Sequence, residues 1–141
     1  MARYYYHITH KKWPKKIKLL PRTYGEHRCS DEPAISRICV SSTIQGCLIA
    51  LGWCLEHAKC ICIYRTKNKV IASKPRKITD AKITKEMWLV EPTKFIKYGK
   101  IITNKIPEGL FSMKVGSKSD LAEQKRMYKL LSRKRDWIKR I

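Results

Sequence analysis

The sequence predicts an α+β fold, and three observations lead to this class. Short aromatic, β-branched or alternating runs, bounded by Pro, Gly or polar residues, are typical of the strands of a mostly β core. An apolar window at 43–56 has helical spacing and almost no polar face, which predicts a central packing helix. A basic, amphipathic C-terminal segment predicts a second helix. With 141 residues, 43% of them hydrophobic, we expect an α+β core at 1–116 and a basic C-terminal helix at 117–141 packed on the same domain.

The N-terminal part of the chain predicts a strand, a short helix and a loop. Residues 3–9 (RYYYHIT) are aromatic and β-branched, which favours a strand. The basic run that follows carries Ile17 and Leu20 as one apolar edge, which indicates a short helix that ends at Pro21. Residues 23–36 are polar without an apolar period, so we expect a surface loop there.

The middle of the chain predicts a strand before the central helix and a hairpin after it. RICVS at 37–41 is typical of a short buried strand, and either Ser42 or Thr43 can cap the helix. KCICIYR at 59–65 alternates as a strand, and we expect it to form a hairpin with residues 70–73.

Three further extended runs are expected to complete the β core. They lie at 87–90, 93–96 and 100–106, and Pro92 and Gly99 separate them. We therefore expect three strands after the hairpin.

The C-terminal segment is strongly basic. Ser119 or Asp120 can cap its helix, with apolar residues on one side. The basic residues on the other side are predicted to bind a nucleic acid or another polyanion: Lys125, Arg126, Lys129, Arg133, Lys134, Arg135, Lys139 and Arg140. The alternative is a solvated face that only shields the core.

The overall charge also indicates an acidic partner. The 32 Lys and Arg residues outnumber the 11 Asp and Glu residues, giving a formal charge of +21. A nucleic acid, a ribonucleoprotein or an acidic protein surface would complement this charge. A lysine-rich codon bias is the competing explanation, but residues 1–22 hold seven Lys or Arg and no acid, which such a bias alone does not produce.

Several classes of protein are disfavoured. No apolar run reaches the roughly 18 residues that span a bilayer, and no secretory signal is apparent, so we expect a cytoplasmic protein without membrane contact. We expect the six cysteines to be reduced. Only Cys60 and Cys62 are close in sequence, at a spacing unlike that of zinc ligands, so no metal site is expected. Walker, GxGxxG, GxSxG and HExxH motifs are missing.

Four motifs resemble parts of the ADP-ribosyltransferase fold, and one of them, KCICIYR at 59–65, resembles a core strand. YHITH at 6–10 resembles its first strand, where a histidine followed by Thr or Ser faces the dinucleotide. RICVSSTIQGCLIAL at 37–51 resembles its strand, serine-containing turn and packing helix, and TKEMWLVEP at 84–92 resembles the later strand that carries a glutamate. The likeness is greatest to the DNA-targeting ADP-ribosyltransferase toxins and the RNA 2′-phosphotransferases.

The resemblance implies a compact split β-sheet core, NAD as cofactor and a set of site residues. Glu86 and His7 would be catalytic, with the Glu86 carboxylate stabilising the positive charge that develops as the nicotinamide–ribose bond breaks. The implied cofactor-binding residues are His7, Thr9, Arg22, Arg37, Ser41 and Ser42. Many members also carry a stacking tyrosine in the strand matched by 37–41, and this chain has none there, which leaves enzymatic activity open.

Two hypotheses about function follow. In the first, the protein binds or uses NAD and acts on a nucleic acid or a nucleic-acid-bound protein. In the second, it is a non-enzymatic basic inhibitor or binding protein of the kind that phages and mobile elements encode, occupying a nucleic-acid channel or an acidic surface of a host complex. A packed His7, and a solvated Glu86 paired with Lys82 or Lys85, would favour the second hypothesis. A shared cleft between His7 and Glu86 would favour the first.

Overall fold

The computed structural model describes residues 4–22, 36–67, 72–75, 80–115 and 119–141. The strands and helices are, in chain order, β1 (Tyr4–Thr9), β2 (Lys16–Leu19), β3 (Ile38–Ser41), α1 (Ile44–Leu51), β4 (Cys62–Lys67), β5 (Ala72–Ser73), α2 (Ala81–Thr84), β6 (Glu86–Leu89), β7 (Thr93–Ile101), α3 (Leu121–Arg133) and β8 (Ile138–Arg140). Short 3₁₀ turns span Gly52–Leu55, Thr103–Lys105 and Leu110–Ser112. The expectation of a mixed α+β fold is confirmed.

The described strands form one antiparallel sheet with an opening near its centre. The strand order is β2-β7-β4-β1-β3-β6-β5, and β8 also pairs with β7. The central strand β1 pairs with β4 over six residues but with β3 through one residue pair, Tyr6 with Ser41, in the described part of the chain. β1 and β3 therefore separate beyond this pair.

Hydrophobic side chains pack on both faces of the sheet. Ile63 and Tyr64, neighbours in β4, are both fully buried and belong to different clusters, because successive side chains of a strand point to opposite faces. α1 and α3 cover the Ile63 face, where Leu48 and Met127 are fully buried. On the Tyr64 face, Phe95 is the corresponding buried side chain.

The central helix forms as predicted, though it is shorter. Thr43 is the N-cap, since its hydroxyl accepts a hydrogen bond of 3.1 Å from the Gly46 amide. A side chain at Gly46 would collide with the Thr84 carbonyl, so this glycine lets α2 approach α1 closely. The α-helix stops at Gly52, which has a φ of 36° that L side chains rarely adopt.

The prediction of a short basic helix after β1 is wrong, because this segment forms strand β2. Ile17 and Leu19 are half-buried and alternate with exposed Lys16 and Lys18, a period of two rather than 3.6. β2 pairs with β7, and this long-range pairing decides its conformation. The predicted loop lies outside the described residues, apart from residue 36.

The strands after the central helix pair differently from the prediction. β4 pairs with β1 and β7, whereas β5 pairs with β6, so the expected hairpin is wrong. The expected turn at 68–69 lies outside the described residues. The runs at 93–96 and 100–106 do not form two strands: β7 continues through Gly99 to Ile101. Gly99 is required there because the Lys139 carbonyl leaves no room for a Cβ.

The C-terminal helix is also shorter than predicted. α3 begins at its N-cap Asp120 and ends at Arg133, so Lys139 and Arg140 lie on β8 rather than on a helix. Trp137 explains this ending: its side chain is fully buried and its indole N–H donates to the Leu131 carbonyl at 3.1 Å, which turns the chain back toward β7. In the part of the chain described, every helix is too short or too polar to cross a membrane.

A candidate ligand-binding cleft

A cleft of about 330 Å³ opens where β1 and β3 separate. Residues of β1, β3, β6, α1 and α2 line it. Of the seven site residues that the resemblance implied, six belong to the lining: His7, Thr9, Arg22, Arg37, Ser41 and Glu86. Ser42 is outside the lining, and its backbone N–H faces the Lys85 carbonyl at 3.4 Å. The expectation that Ser42 contacts a cofactor therefore finds no support in this geometry.

His7 lies in the cleft wall as a neutral base. Its Nδ1 is 2.8 Å from the Cys39 carbonyl oxygen, which only accepts, so Nδ1 carries the proton and Nε2 holds the lone pair. Burial lowers the pKa of His7 below its ordinary value of 6.5; the hydrogen bond to Cys39 opposes this shift, and the charge of Arg22 adds to it. The ring also stacks on Trp13, with centroids 5.7 Å apart. His7 is thus both packed and placed to accept a hydrogen bond.

Two arginines on neighbouring backbone segments line the cleft. Arg22 and Arg37 form an isolated antiparallel bridge, with N···O distances of 3.1 and 2.9 Å, so their side chains leave the same face. Arg22 is exposed, whereas Arg37 is only 2% exposed. Guanidinium groups pair with phosphate through two parallel hydrogen bonds, which makes this wall suited to an anion.

Trp88 contacts two charged side chains of the cleft, Arg37 and Glu86. The guanidinium carbon of Arg37 is 4.3 Å from the centroid of the Trp88 ring. The indole N–H of Trp88 donates to the Glu86 carboxylate at 2.7 Å. The buried indole therefore holds a cation on its face and an anion at its edge. Sequence reasoning missed Trp88, although a spacing of two from Glu86 on a strand places both side chains on one face.

Glu86 is half-buried in the cleft rather than solvated on the sheet surface. It lies directly opposite Ser41 in the β3–β6 register. Glu86 is therefore not a fully solvated surface carboxylate.

Two of the three predicted hydroxyl residues, Ser41 and Thr9, shape the cleft through contacts within the protein. Ser41 Oγ donates to the Thr84 carbonyl at 2.6 Å and accepts from the Thr43 amide at 3.1 Å. Ser41 thus ties β3 to α1 and α2, and its hydroxyl proton is already used. Thr9 Oγ1 accepts from the Lys11 amide at 3.1 Å, which leaves its own O–H to donate.

Asp80 and Cys47 line the cleft without having been predicted as site residues. Asp80 is 4% exposed and accepts hydrogen bonds from Gln124 at 3.0 Å and Ser119 at 3.5 Å. Burial raises the pKa of Cys47 to about 12, and its thiol lies 3.1 Å from the Tyr6 carbonyl, so it is not a nucleophile.

No cluster of three or more potential metal ligands occurs among the described residues.

The eight basic residues predicted to bind a polyanion are all exposed and lie outside the cleft. Six of them lie on α3 or just after it, and Lys139 and Arg140 lie on β8. Two already pair with carboxylates: Arg126 with Glu123 at 2.6 Å, and Lys134 with Asp136 at 3.5 Å.

The chain was compared with protein-family models, curated proteins and solved structures, and none of them matches it. The resemblance to ADP-ribosyltransferases therefore depends on the sequence motifs named above.

Proposed function

We propose that the cleft binds NAD and that the protein transfers ADP-ribose to a nucleic acid or to a nucleic-acid-bound protein. One observation carries this proposal. His7, Arg22, Arg37 and Glu86, which are far apart in the sequence, line the same cleft at the opening of the sheet. These side chains combine a neutral base, an anion site and a carboxylate, the groups that such a reaction requires.

The size and charge of the cleft suit part of a dinucleotide. Ligand sites in proteins typically measure about 300–1,000 Å³, and this cleft of about 330 Å³ is near the lower limit. It fits one nucleotide half better than the whole ligand. Arg37 inside and Arg22 at the surface are suited to hold the pyrophosphate between the two halves.

Glu86 supplies the catalytic carboxylate in this proposal. Bound NAD supplies a nicotinamide leaving group, and the ribose carbon becomes cationic as that bond breaks. A carboxylate fixed in a partly dry cleft stabilises this charge more than one in water does, and Trp88 fixes Glu86 here. His7 Nε2 accepts a hydrogen bond from a ligand hydroxyl or amide, because Nδ1–H is already directed to Cys39.

Trp13 provides aromatic surface where the expected stacking tyrosine is missing. Tyr64 does not replace that tyrosine, since it is fully buried and its hydroxyl donates to the Trp13 carbonyl at 2.8 Å. Trp13 itself lines the cleft.

The test measures NAD binding by calorimetry and nicotinamide release by chromatography. We expect Glu86→Gln to keep NAD affinity and to lower nicotinamide release by about 100-fold or more, because Gln keeps the shape but loses the charge. Glu91→Gln is the matched control, since Glu91 is exposed and outside the cleft lining. No NAD binding at millimolar concentration, together with no nicotinamide release, would exclude this function.

The second candidate function is a non-enzymatic basic inhibitor or binding protein, and the contacts of Ser41 favour it. The Ser41 hydroxyl proton is used within the protein, so this serine acts as a structural residue. Under this function the wild-type protein binds a polyanion or acidic surface without NAD, and Arg37→Gln leaves that binding unchanged.

A further inference from the structure

Four planar side chains stack in alternation on one part of the sheet. The guanidinium carbon of Arg65 is 3.9 Å from the ring centroid of Tyr4 and 4.7 Å from that of Tyr98. The guanidinium carbon of Arg140 is 4.8 Å from the centroid of Tyr98. We call this group the Tyr–Arg stack. It joins β1, β4, β7 and β8, so the fold, not a local sequence motif, assembles it.

The Tyr–Arg stack is separate from the cleft. None of its four residues lines the cleft, and Tyr4 is at the opposite end of β1 from Thr9. A strand advances about 3.3 Å per residue, which places these two backbone positions about 17 Å apart. A change in the stack is therefore not a change in the residues proposed to bind NAD.

No carboxylate of the described residues neutralises the arginines of the stack. Within the described ranges, Arg65 and Arg140 form no ion pair with a carboxylate, and their contacts are with tyrosine rings. Their N–H groups are thus available to an anionic ligand. The exposed Lys67 lies opposite Tyr4 in the strand register, which adds another cation nearby.

We propose that the Tyr–Arg stack binds single-stranded nucleic acid by stacking unpaired bases on its two end members, Tyr4 and Arg140, with the guanidinium N–H groups directed to phosphates. Tyrosine rings and guanidinium planes are the surfaces on which proteins stack unpaired bases. A duplex does not offer the faces of its bases, because they stack on each other. The formal charge of +21 favours a polyanionic occupant over an apolar one. This proposal rests on the nucleic-acid partner of the proposed function but not on NAD binding.

The experiment separates stacking from charge. Fluorescence anisotropy compares a labelled 16-residue oligothymidylate, an abasic sugar–phosphate oligomer of the same length, and the duplex form. We expect the protein to bind oligothymidylate at least about fivefold more tightly than the abasic oligomer. The double variant Arg65→Lys/Arg140→Lys keeps both charges and removes both guanidinium planes. We expect it to lose this preference while the salt dependence of binding is unchanged.

Lys94→Arg is the matched control, because it also keeps the charge and Lys94 is an exposed residue of β7 outside the Tyr–Arg stack and the C-terminal basic residues. It is expected to keep the preference for bases. The single variant Arg140→Lys, at an exposed position, gives the same readout if the double variant is unstable. Three outcomes would overturn the proposal: equal binding of the abasic oligomer, an unchanged preference in the lysine variants, or a loss of duplex binding in those variants as large as their loss of oligothymidylate binding. If the abasic oligomer binds as tightly as oligothymidylate, the stacking proposal fails, but the polyanion partner of the proposed function is still supported.

Discussion

The cleft and the C-terminal basic segment both carry several cations, but in opposite surroundings. Arg37 is 2% exposed and lies on an indole that also holds a carboxylate, whereas Arg133, Lys134 and Arg135 are exposed at the end of α3. A buried guanidinium has a fixed geometry and is weakly screened, so it can select one ligand. Exposed cations are screened by salt and act together, so they favour any polyanion. The two regions therefore suit different tasks: recognition of a small ligand and attraction of a large one.

The largest expected effect on ligand affinity concerns Arg37. We expect Arg37→Gln to weaken NAD binding by about tenfold to 100-fold, since a hydrogen bond to a charged group contributes about 1.5–3 kcal/mol. Arg37→Lys keeps the charge but loses the two-pronged geometry, so an intermediate loss is expected. Calorimetric titration with NAD measures both effects. Arg133→Gln is the control and is expected to leave NAD affinity unchanged. If Arg133→Gln lowers NAD affinity as much as Arg37→Gln does, the cleft is not the region that recognises NAD.

The second-largest expected effect concerns the exposed cations at the C-terminal end of α3 and their contribution to DNA affinity. Replacing Arg133, Lys134 and Arg135 together by Gln should lower affinity for duplex DNA and reduce the slope of log affinity against log salt by about 2 to 3, because each phosphate contact contributes about 0.9. NAD binding should not change. A salt series with labelled duplex measures the slope. Unchanged affinity and slope would mean that this segment only shields the core.

Local sequence signals predicted the elements that are decided locally. The cap signal at Ser42 or Thr43 and the apolar window behind it predicted α1, and the aromatic, β-branched run predicted β1. Five of the six predicted residues that line the cleft lie in three of the motifs that resemble a known fold, and these three motifs fall on or next to β1, β3 and β6, which are adjacent in the sheet. The sixth, Arg22, lies outside them.

Features that depend on distant partners were not predictable in this way. The run around Ile17 is compatible with a helix or a strand, and pairing with β7 decides between them. α3 ends early because the Trp137 side chain enters the core. A single tryptophan in a basic segment does not indicate in the sequence where the helix ends. The Tyr–Arg stack needs four strands in register, so no short motif indicates it.

The smallest expected effect concerns His7 and the pH dependence of stability. Burial depresses the pKa of His7 in the folded protein, so the unfolded chain takes up the proton at higher pH. The contribution to stability is complete above the ordinary value of 6.5 and is lost as pH falls through the lower folded pKa, at no more than about 1.4 kcal/mol per pH unit. Chemical denaturation of wild type and His7→Gln between pH 7.5 and 5 measures this. We expect wild type to lose more stability than His7→Gln over this window, whereas His57→Gln, a change at an exposed histidine, should follow wild type. Parallel pH profiles for wild type and His7→Gln would show that His7 is not the neutral base with a lowered pKa in the cleft wall.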